Sequence, residues 1–186
     1  MHSMSVDTLG IVESRSIAAG VTLADAMLKA ASVDLLRAST VCSGRYLIFV
    51  SGDRAAVATA VQEARVSQAR LSGSYIIANV SAQVLAVLKG PVPCPGGALG
   101  LVECRTVSSG IAACDVAVKR ADISLCRLVT GQGINGKSYF AFSGEVAAVT
   151  EAVNAAKDIF ERDIIDVTII PRPDKAVVNA VLGAMR

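Results

Sequence analysis

The stretch Leu9-Gly10-Ile11-Val12-Glu13-Ser14-Arg15 returns as Leu99-Gly100-Leu101-Val102-Glu103-Cys104-Arg105, at an offset of 90 residues. The register then holds without a gap: Gly20 faces Gly110, Asp25 faces Asp115, Lys29 faces Lys119, Ala31 faces Ala121, Leu35 faces Leu125 and Arg37 faces Arg127. Further on the offset becomes 92, so that Gly44-Arg45-Tyr46 matches Gly136-Lys137-Ser138 and Ser51-Gly52-Asp53 matches Ser143-Gly144-Glu145. The second copy therefore carries two extra residues between Gly131 and Asn135. Matches this dense and this well ordered mark a duplication. Residues 6–89 are expected to form one domain and residues 98–186 a second. The joint is Gly90-Pro91-Val92-Pro93-Cys94-Pro95-Gly96-Gly97, where proline and glycine interrupt both helix and strand.

Within one copy, residues 9–13 form an apolar run of strand length. From 16 to 31 the apolar residues Ile17, Val21, Ala24, Met27, Leu28 and Ala31 share one helical face. Residues 33–41 and 46–50 read as strands around a turn at Gly44. Residues 54–66 read as a helix capped by Asp53, with Val57, Ala60, Val61 and Ala64 inward. A strand over 74–80 and a short helix over 82–88 complete the copy. The second copy repeats the order: strand 100–103, helix 106–121, strands 123–130 and 138–142, helix 147–161, strand 166–170 and helix 174–182. The order β-α-β-β-α-β is that of a ferredoxin-like fold, so the expected class is α/β (α+β), in two tandem copies.

Composition narrows the function. Hydrophobic residues make up 53% of the 186 and charged residues 18%, which excludes disorder. The excess lies in alanine and valine, with no tryptophan. A chain this apolar and lightly charged is expected to bury further surface against copies of itself. The net charge is +2 with no basic cluster, so neither nucleic-acid binding nor a membrane role is expected. Met1-His2-Ser3-Met4-Ser5 lacks a charged segment followed by an apolar core, so no signal peptide is expected either. The uncharged run 71–88 contains Ser72, Gly73, Ser74, Asn79, Ser81 and Gln83, and reads as core. Five cysteines, none in a C-x-x-C pair, suit reduced thiols in the cytosol.

The motifs are few. Gly131-Gln132-Gly133-Ile134-Asn135-Gly136 spells G-x-G-x-x-G, but a strand pattern follows it where a dinucleotide site needs a helix. It reads instead as a flexible loop or the lip of a pore. The single histidine, His2, stands at the terminus, so a nucleophilic triad lacks its base. Glu13 and Glu103 read as structural strand-end carboxylates. Lys29 and Lys119 end equivalent helices, where a solvated charge and an edge contact are both open readings. Cys42 precedes Ser43-Gly44-Arg45, opposite the glycine loop of the second copy. Cys94, Cys104, Cys114 and Cys126 read as packing or linker residues.

The repeated Leu9-Gly10-Ile11-Val12-Glu13, the helix Asp25-Ala26-Met27-Leu28-Lys29-Ala30-Ala31, the turn Ser51-Gly52-Asp53 and the strand exit Ile169-Ile170-Pro171-Arg172-Pro173 resemble the bacterial microcompartment shell (BMC) domain, fused in tandem. The resemblance covers about residues 6 to 186. It implies a homotrimer forming a pseudohexameric tile. It also implies other shell proteins as partners at the tile edges and a place in the microcompartment shell in the cytoplasm, with no enzymatic activity. It assigns Lys29 and Lys119 to the tile edge, with Arg172 contacting a neighbour's lysine; the first copy has Asn79-Val80-Ser81 at that place. The T-type propanediol-utilisation branch is similar in a further respect. That branch carries an iron–sulfur cluster on its threefold axis, held by a cysteine at the place of Cys42 in Thr40-Val41-Cys42-Ser43-Gly44-Arg45. Its second loop resembles Gly133-Ile134-Asn135-Gly136-Lys137. The implied cofactor is a [4Fe–4S] cluster shared by three chains, with encapsulated redox enzymes as electron partners. The branch's proline after the cysteine is Ser43 here.

Three converging thiols would leave one iron of such a cluster without a cysteine, since four is the usual number. Two pore readings stay open: a cluster at Cys42 that moves electrons across the shell, or a channel for small metabolites lined by Ser43, Gly44, Gly131, Gln132, Gly133, Ile134, Asn135 and Gly136. A small-molecule sensor or enzyme on a ferredoxin-like scaffold is the alternative outside the shell family, because fold alone does not determine function.

Overall fold

A computed structural model describes residues 7–183; His2 and the other terminal residues lie outside them. The first repeat runs β1 (Thr8–Ser14), α1 (Ile17–Ala30), β2 (Asp34–Val41), β3 (Arg45–Gly52), α2 (Arg54–Val66), β4 (Leu71–Ala78) and α3 (Ala82–Lys89). Its sheet has the order β2-β3-β1-β4 with every pairing antiparallel. β1 lies between two partners and is buried along its whole length. Ser16 caps α1 by accepting from the Ala19 amide, and Asp53 caps α2 by accepting from Ala56 at 2.9 Å. Helices and sheet meet in a core of Val12, Leu23, Met27, Ile48, Val57 and Val61. Ala60 and Ala64 keep the inner face of α2 thin, so the helix sits low on the sheet.

The second repeat runs β5 (Ala98–Cys104), α4 (Val107–Arg120), β6 (Ser124–Thr130), β7 (Ser138–Gly144), α5 (Val146–Phe160), β8 (Ile164–Ile170) and α6 (Lys175–Leu182). The sheet order is β6-β7-β5-β8, the same topology again. Even the irregularities repeat. Pairing slips between Leu35 and Arg37 in one copy and between Leu125 and Arg127 in the other. It slips between Glu13 and Ser14, and likewise between Glu103 and Cys104. Bulges kept at equivalent positions are part of the inherited design of a sheet.

Three strand starts lie two or more residues ahead of the sequence reading: β4 begins at Leu71, β5 at Ala98 and β8 at Ile164, against 74, 100 and 166. Ser72-Gly73-Ser74 has no apolar alternation, yet Gly73 pairs with Glu13 and Leu71 with Ser14. Pairing to a buried central strand overrides weak local propensity. The run 71–88 is a strand followed by a short helix, and among the described residues no helix is long and apolar enough to cross a membrane.

The compact units do not follow the repeat boundary. One reaches Val80 and includes Gly131–Gly136; the other takes Ser81–Thr130 and the residues from Lys137 onward. α3, the last helix of the first repeat, thus belongs to the second unit. Gln83 explains the attachment. Its side-chain amide donates to the Ile123 carbonyl at 3.1 Å and accepts from the Leu125 amide at 2.7 Å, so it satisfies the edge of β6 as another strand would. The Ser81 amide also donates to Asp115 Oδ1 at 2.8 Å.

Helix α4 approaches its sheet through Gly110. A Cβ there would lie 1.9 Å from Ser138 Oγ and 2.9 Å from Ser138 Cβ. Ser138 is buried and its hydroxyl donates to the Thr106 carbonyl at 2.7 Å, so it has little freedom to retreat. Gly110→Ala is expected to destabilise the fold by about 2 kcal/mol in denaturant titration, an overpacking cost. Adding Ser138→Gly should recover most of the loss; equal stability of Gly110→Ala and the parent would show that the helix stands further off.

Candidate functional site

β2 ends at Val41, and one helical turn, Cys42–Gly44, leads into β3. Ser43 and Gly44 have φ of 69° and 74° there, which tightens the turn and holds Cys42 half-buried beside it. The glycine loop of the second repeat winds similarly, with φ of 83° at Gly131, 74° at Gly133 and 55° at Asn135. Both loops fall in the first unit, and side chains of each bond to the other. The Gly133 amide donates to Cys42 Sγ at 3.0 Å. The Cys42 thiol in turn reaches Gln132 Oε1 at 3.9 Å, while Gln132 Nε2 donates to the Thr40 carbonyl at 3.2 Å. At Gly136, φ is 74° and a Cβ would lie 2.8 Å from Ser43 Oγ and 3.0 Å from the Cys42 carbonyl, so both conformation and space call for glycine. Ile134 lies in the same loop, half-buried.

Charge fixes the loop ends. Arg45 Nη1 donates to Glu13 Oε1 at 2.9 Å and to the Gly136 carbonyl at 3.2 Å, joining the strand-end carboxylate to the glycine loop. Glu13 is fully buried. The second copy repeats the pair as Lys137 Nζ to Glu103 Oε1 at 2.9 Å, in a more open setting. These contacts account for both glutamates as structural ion pairs. β7, and not a helix, follows the G-x-G-x-x-G segment, so no helix N-terminus stands where a pyrophosphate would need one.

Lys29 Nζ donates to Asp25 Oδ2 at 2.6 Å, with both side chains largely exposed at the end of α1. The counterpart Lys119 meets Asp115 at 2.5 Å, but there the aspartate is buried and also receives the Ser81 amide. Asn79 takes a φ of 48° in the turn from β4 to α3, and Arg172 is exposed in the turn from β8 to α6. Among the described residues, neither Asn79 nor Arg172 is bonded to a lysine. Sequence reasoning missed Gln83 and the second role of Asp115. Only the match of Asp25 to Asp115 hinted that the position does structural work.

Of the other cysteines, burial pushes the thiols of Cys104 and Cys126 up to about 12, and that of Cys114 in the same direction. All three are protonated, and Cys104 and Cys114 are packing residues. Cys42 differs in being half-exposed on a loop and in accepting a backbone N–H at sulfur, a contact that cluster-ligating sulfurs use. Among the described residues no three of His, Cys, Asp and Glu gather on one point within the chain. One chain therefore offers one thiol, and a cluster at Cys42 fits only if other chains supply more.

Two copies of one α/β module, joined in a single chain with their loops meeting at a thiol, define a fused-repeat protein. The BMC-domain family model matches residues 8–80 and again 98–173. Bacterial microcompartment shell protein PduT of Citrobacter freundii is 35% identical over 177 residues, covering 91% of this chain and 94% of that one. Carboxysome assembly protein CcmO of Synechococcus elongatus is 30% identical, covering 89% of this chain and 65% of its own length. The crystal structure of a microcompartment protein from Desulfitobacterium hafniense superposes with a TM-score of 0.79 at 36% identity, covering 94% of this chain and 99% of that one. The chain belongs to the BMC-domain family of bacterial microcompartment shell proteins, as a tandem member. Membership places it in the shell of a cytoplasmic microcompartment, among relatives that are structural proteins.

Proposed function

We propose that three copies close into a ring of six modules, a pseudohexameric tile of the shell, with the Cys42 loops gathered at its centre. The observation that carries this reading is an asymmetry between equivalent faces. On α1 and β2, Val21, Leu35 and Leu36 are 53%, 43% and 47% exposed, whereas their counterparts Ile111, Leu125 and Cys126 are 0%, 2% and 0% exposed. In the second unit α3 covers β6. The repeat-equivalent of α3 is α6, which buries none of its own residues and leaves Val177 exposed. α6 of one copy seated on α1 and β2 of the next would bury both apolar faces and close the ring. Exposed apolar surface of this extent signals association.

In such a ring three Cys42 thiols meet on the axis. They would hold a [4Fe–4S] cluster by three of its irons, and that group would supply one-electron transfer across the shell to enclosed redox enzymes. Cys42 binds, the Gly133 amide supports the sulfur, and Gln132 anchored on Thr40 holds the second loop in place. Lys29, Lys119, Asn79 and Arg172 then lie at the outer edge, where tiles meet other shell proteins.

The test is anaerobic purification with iron and acid-labile sulfide analysis. Protein of three-chain mass should be brown and carry iron. Cys42→Ser should remove the iron and colour while keeping that mass. Absence of iron from parent protein supplied with ferrous iron and sulfide would reject the cluster and favour a metabolite channel lined by Ser43, Gly44 and residues 131–136.

A further inference from the structure

The linker cysteine and the β6 cysteine form a pair that the two repeats do not share. The Val92 amide donates to the Cys126 carbonyl at 2.9 Å, so the linker lies along the edge of β6. Two residues on, Cys94 and Ser143 line one cavity of about 380 Å³, together with Gly97, Pro173 and Asn179. Cys126 Sγ reaches the same Ser143, at 3.7 Å from its Oγ, and the Ser124 carbonyl at 3.2 Å. The neighbouring Cys94 thiol also pushes the Cys126 thiol up, second to burial. At the position of Cys126 the first repeat has Leu36. The pair thus arises from the way the two repeats are joined.

We propose that Cys94 and Cys126 are a redox-responsive pair, closing to a disulfide that staples the linker to β6 when a small hydroperoxide enters the cavity. The roles follow from access. Cys94 is half-buried on the cavity wall, and Cys126 is buried in contact with Ser143, which lines the same cavity. Burial first, and the neighbouring Cys94 thiol second, disfavour the Cys126 thiolate, which leaves Cys94 as the group that meets the oxidant. Its thiolate attacks one peroxide oxygen; the O–O bond breaks, and the leaving hydroxide takes up a proton to become water. The Cys94 sulfenic acid is then attacked by Cys126 sulfur. The S–S bond forms, the S–O bond breaks, and the departing hydroxide takes the Cys126 proton as a second water. Two thiols lose two electrons and the peroxide gains them. In a reducing compartment such a bond is transient and opens again by thiol exchange.

The experiment uses the full chain carrying Cys42→Ser, which removes the other exposed thiol, treated with hydrogen peroxide and digested without reductant. The expected result is one peptide joining Cys94 to Cys126, a fall of two free thiols, and a rise in Tm of roughly 5–10 °C that dithiothreitol reverses. Adding Cys94→Ser should abolish both the joined peptide and the Tm rise. Oxidation of Cys94 to sulfinic acid with Cys126 still free would overturn the proposal, as would an unchanged thiol count. Both readouts stand apart from iron content and from trimer mass.

Discussion

Val21→Asp combined with Leu35→Asp should convert the proposed three-chain particle into a folded single chain. Both side chains are about half exposed in the chain by itself, so their replacement costs its fold little. In a ring both would be covered by a neighbour. Covering the exposed half of each aliphatic side chain is worth about 0.7–1.5 kcal/mol, half the figure for full burial, before the cost of burying two carboxylates. With that cost added, the closing contact should weaken by a factor of at least about a hundred. Light scattering should give the mass of one chain, with the thermal transition of the isolated chain retained. The equivalent change at the covered face, Ile111→Asp, should prevent folding, because Ile111 has no exposure to give up. A particle of three chains surviving the double substitution would remove the basis for the ring.

Arg45→Met should be among the most destabilising single changes in the first unit. Glu13 is fully buried, and the Arg45 guanidinium is the cation set against it at 2.9 Å. Removing one partner of a buried pair leaves a desolvated charge, at a cost of about 3–5 kcal/mol. Converting Glu13 to Met in the same chain should restore most of the stability, since the penalty falls on a buried carboxylate that has lost its cation. The second repeat provides the internal comparison. Lys137 and Glu103 are both partly exposed, so Lys137→Met should cost under about 1 kcal/mol. Denaturant midpoints measure both. Arg45 also holds the Gly136 carbonyl, so Arg45→Met should free the glycine loop and speed alkylation of Cys42 in folded protein. Equal effects at Arg45 and Lys137 would mean that burial does not distinguish the two sites.

The duplication made most of this architecture readable in advance. Two independent copies of the same apolar spacing identified each strand and helix twice, and both sheets have the topology that the element order implied. The loops containing Cys42 and Gly133 stood out for a similar reason, because the copies diverge there and nowhere else so sharply. Other features carried no sequence signal. Gln83 reads as an ordinary helix residue; only the path of α3 along β6 turns its amide into a strand substitute. Leu71 to Gly73 lacked strand character until β1 was there to pair with it. The meeting of Cys94 with Cys126 depends on the linker's course, which proline and glycine leave open. Local patterns specify elements, while contacts between distant segments are specified only by the folded chain.

The helix Ala82–Lys89, grown from the first repeat yet lodged in the second unit, bears on how a tile is put together. A ring of six single modules must form six joints between strangers, with any module free to take any place. In the proposed ring of three fused chains, every other joint would already be made by the covalent chain at high effective concentration. Assembly would then have half as many encounters to complete, and the two kinds of module would alternate around the tile. Single-module proteins cannot substitute into such a ring one at a time, so its composition is determined when the chain is synthesised.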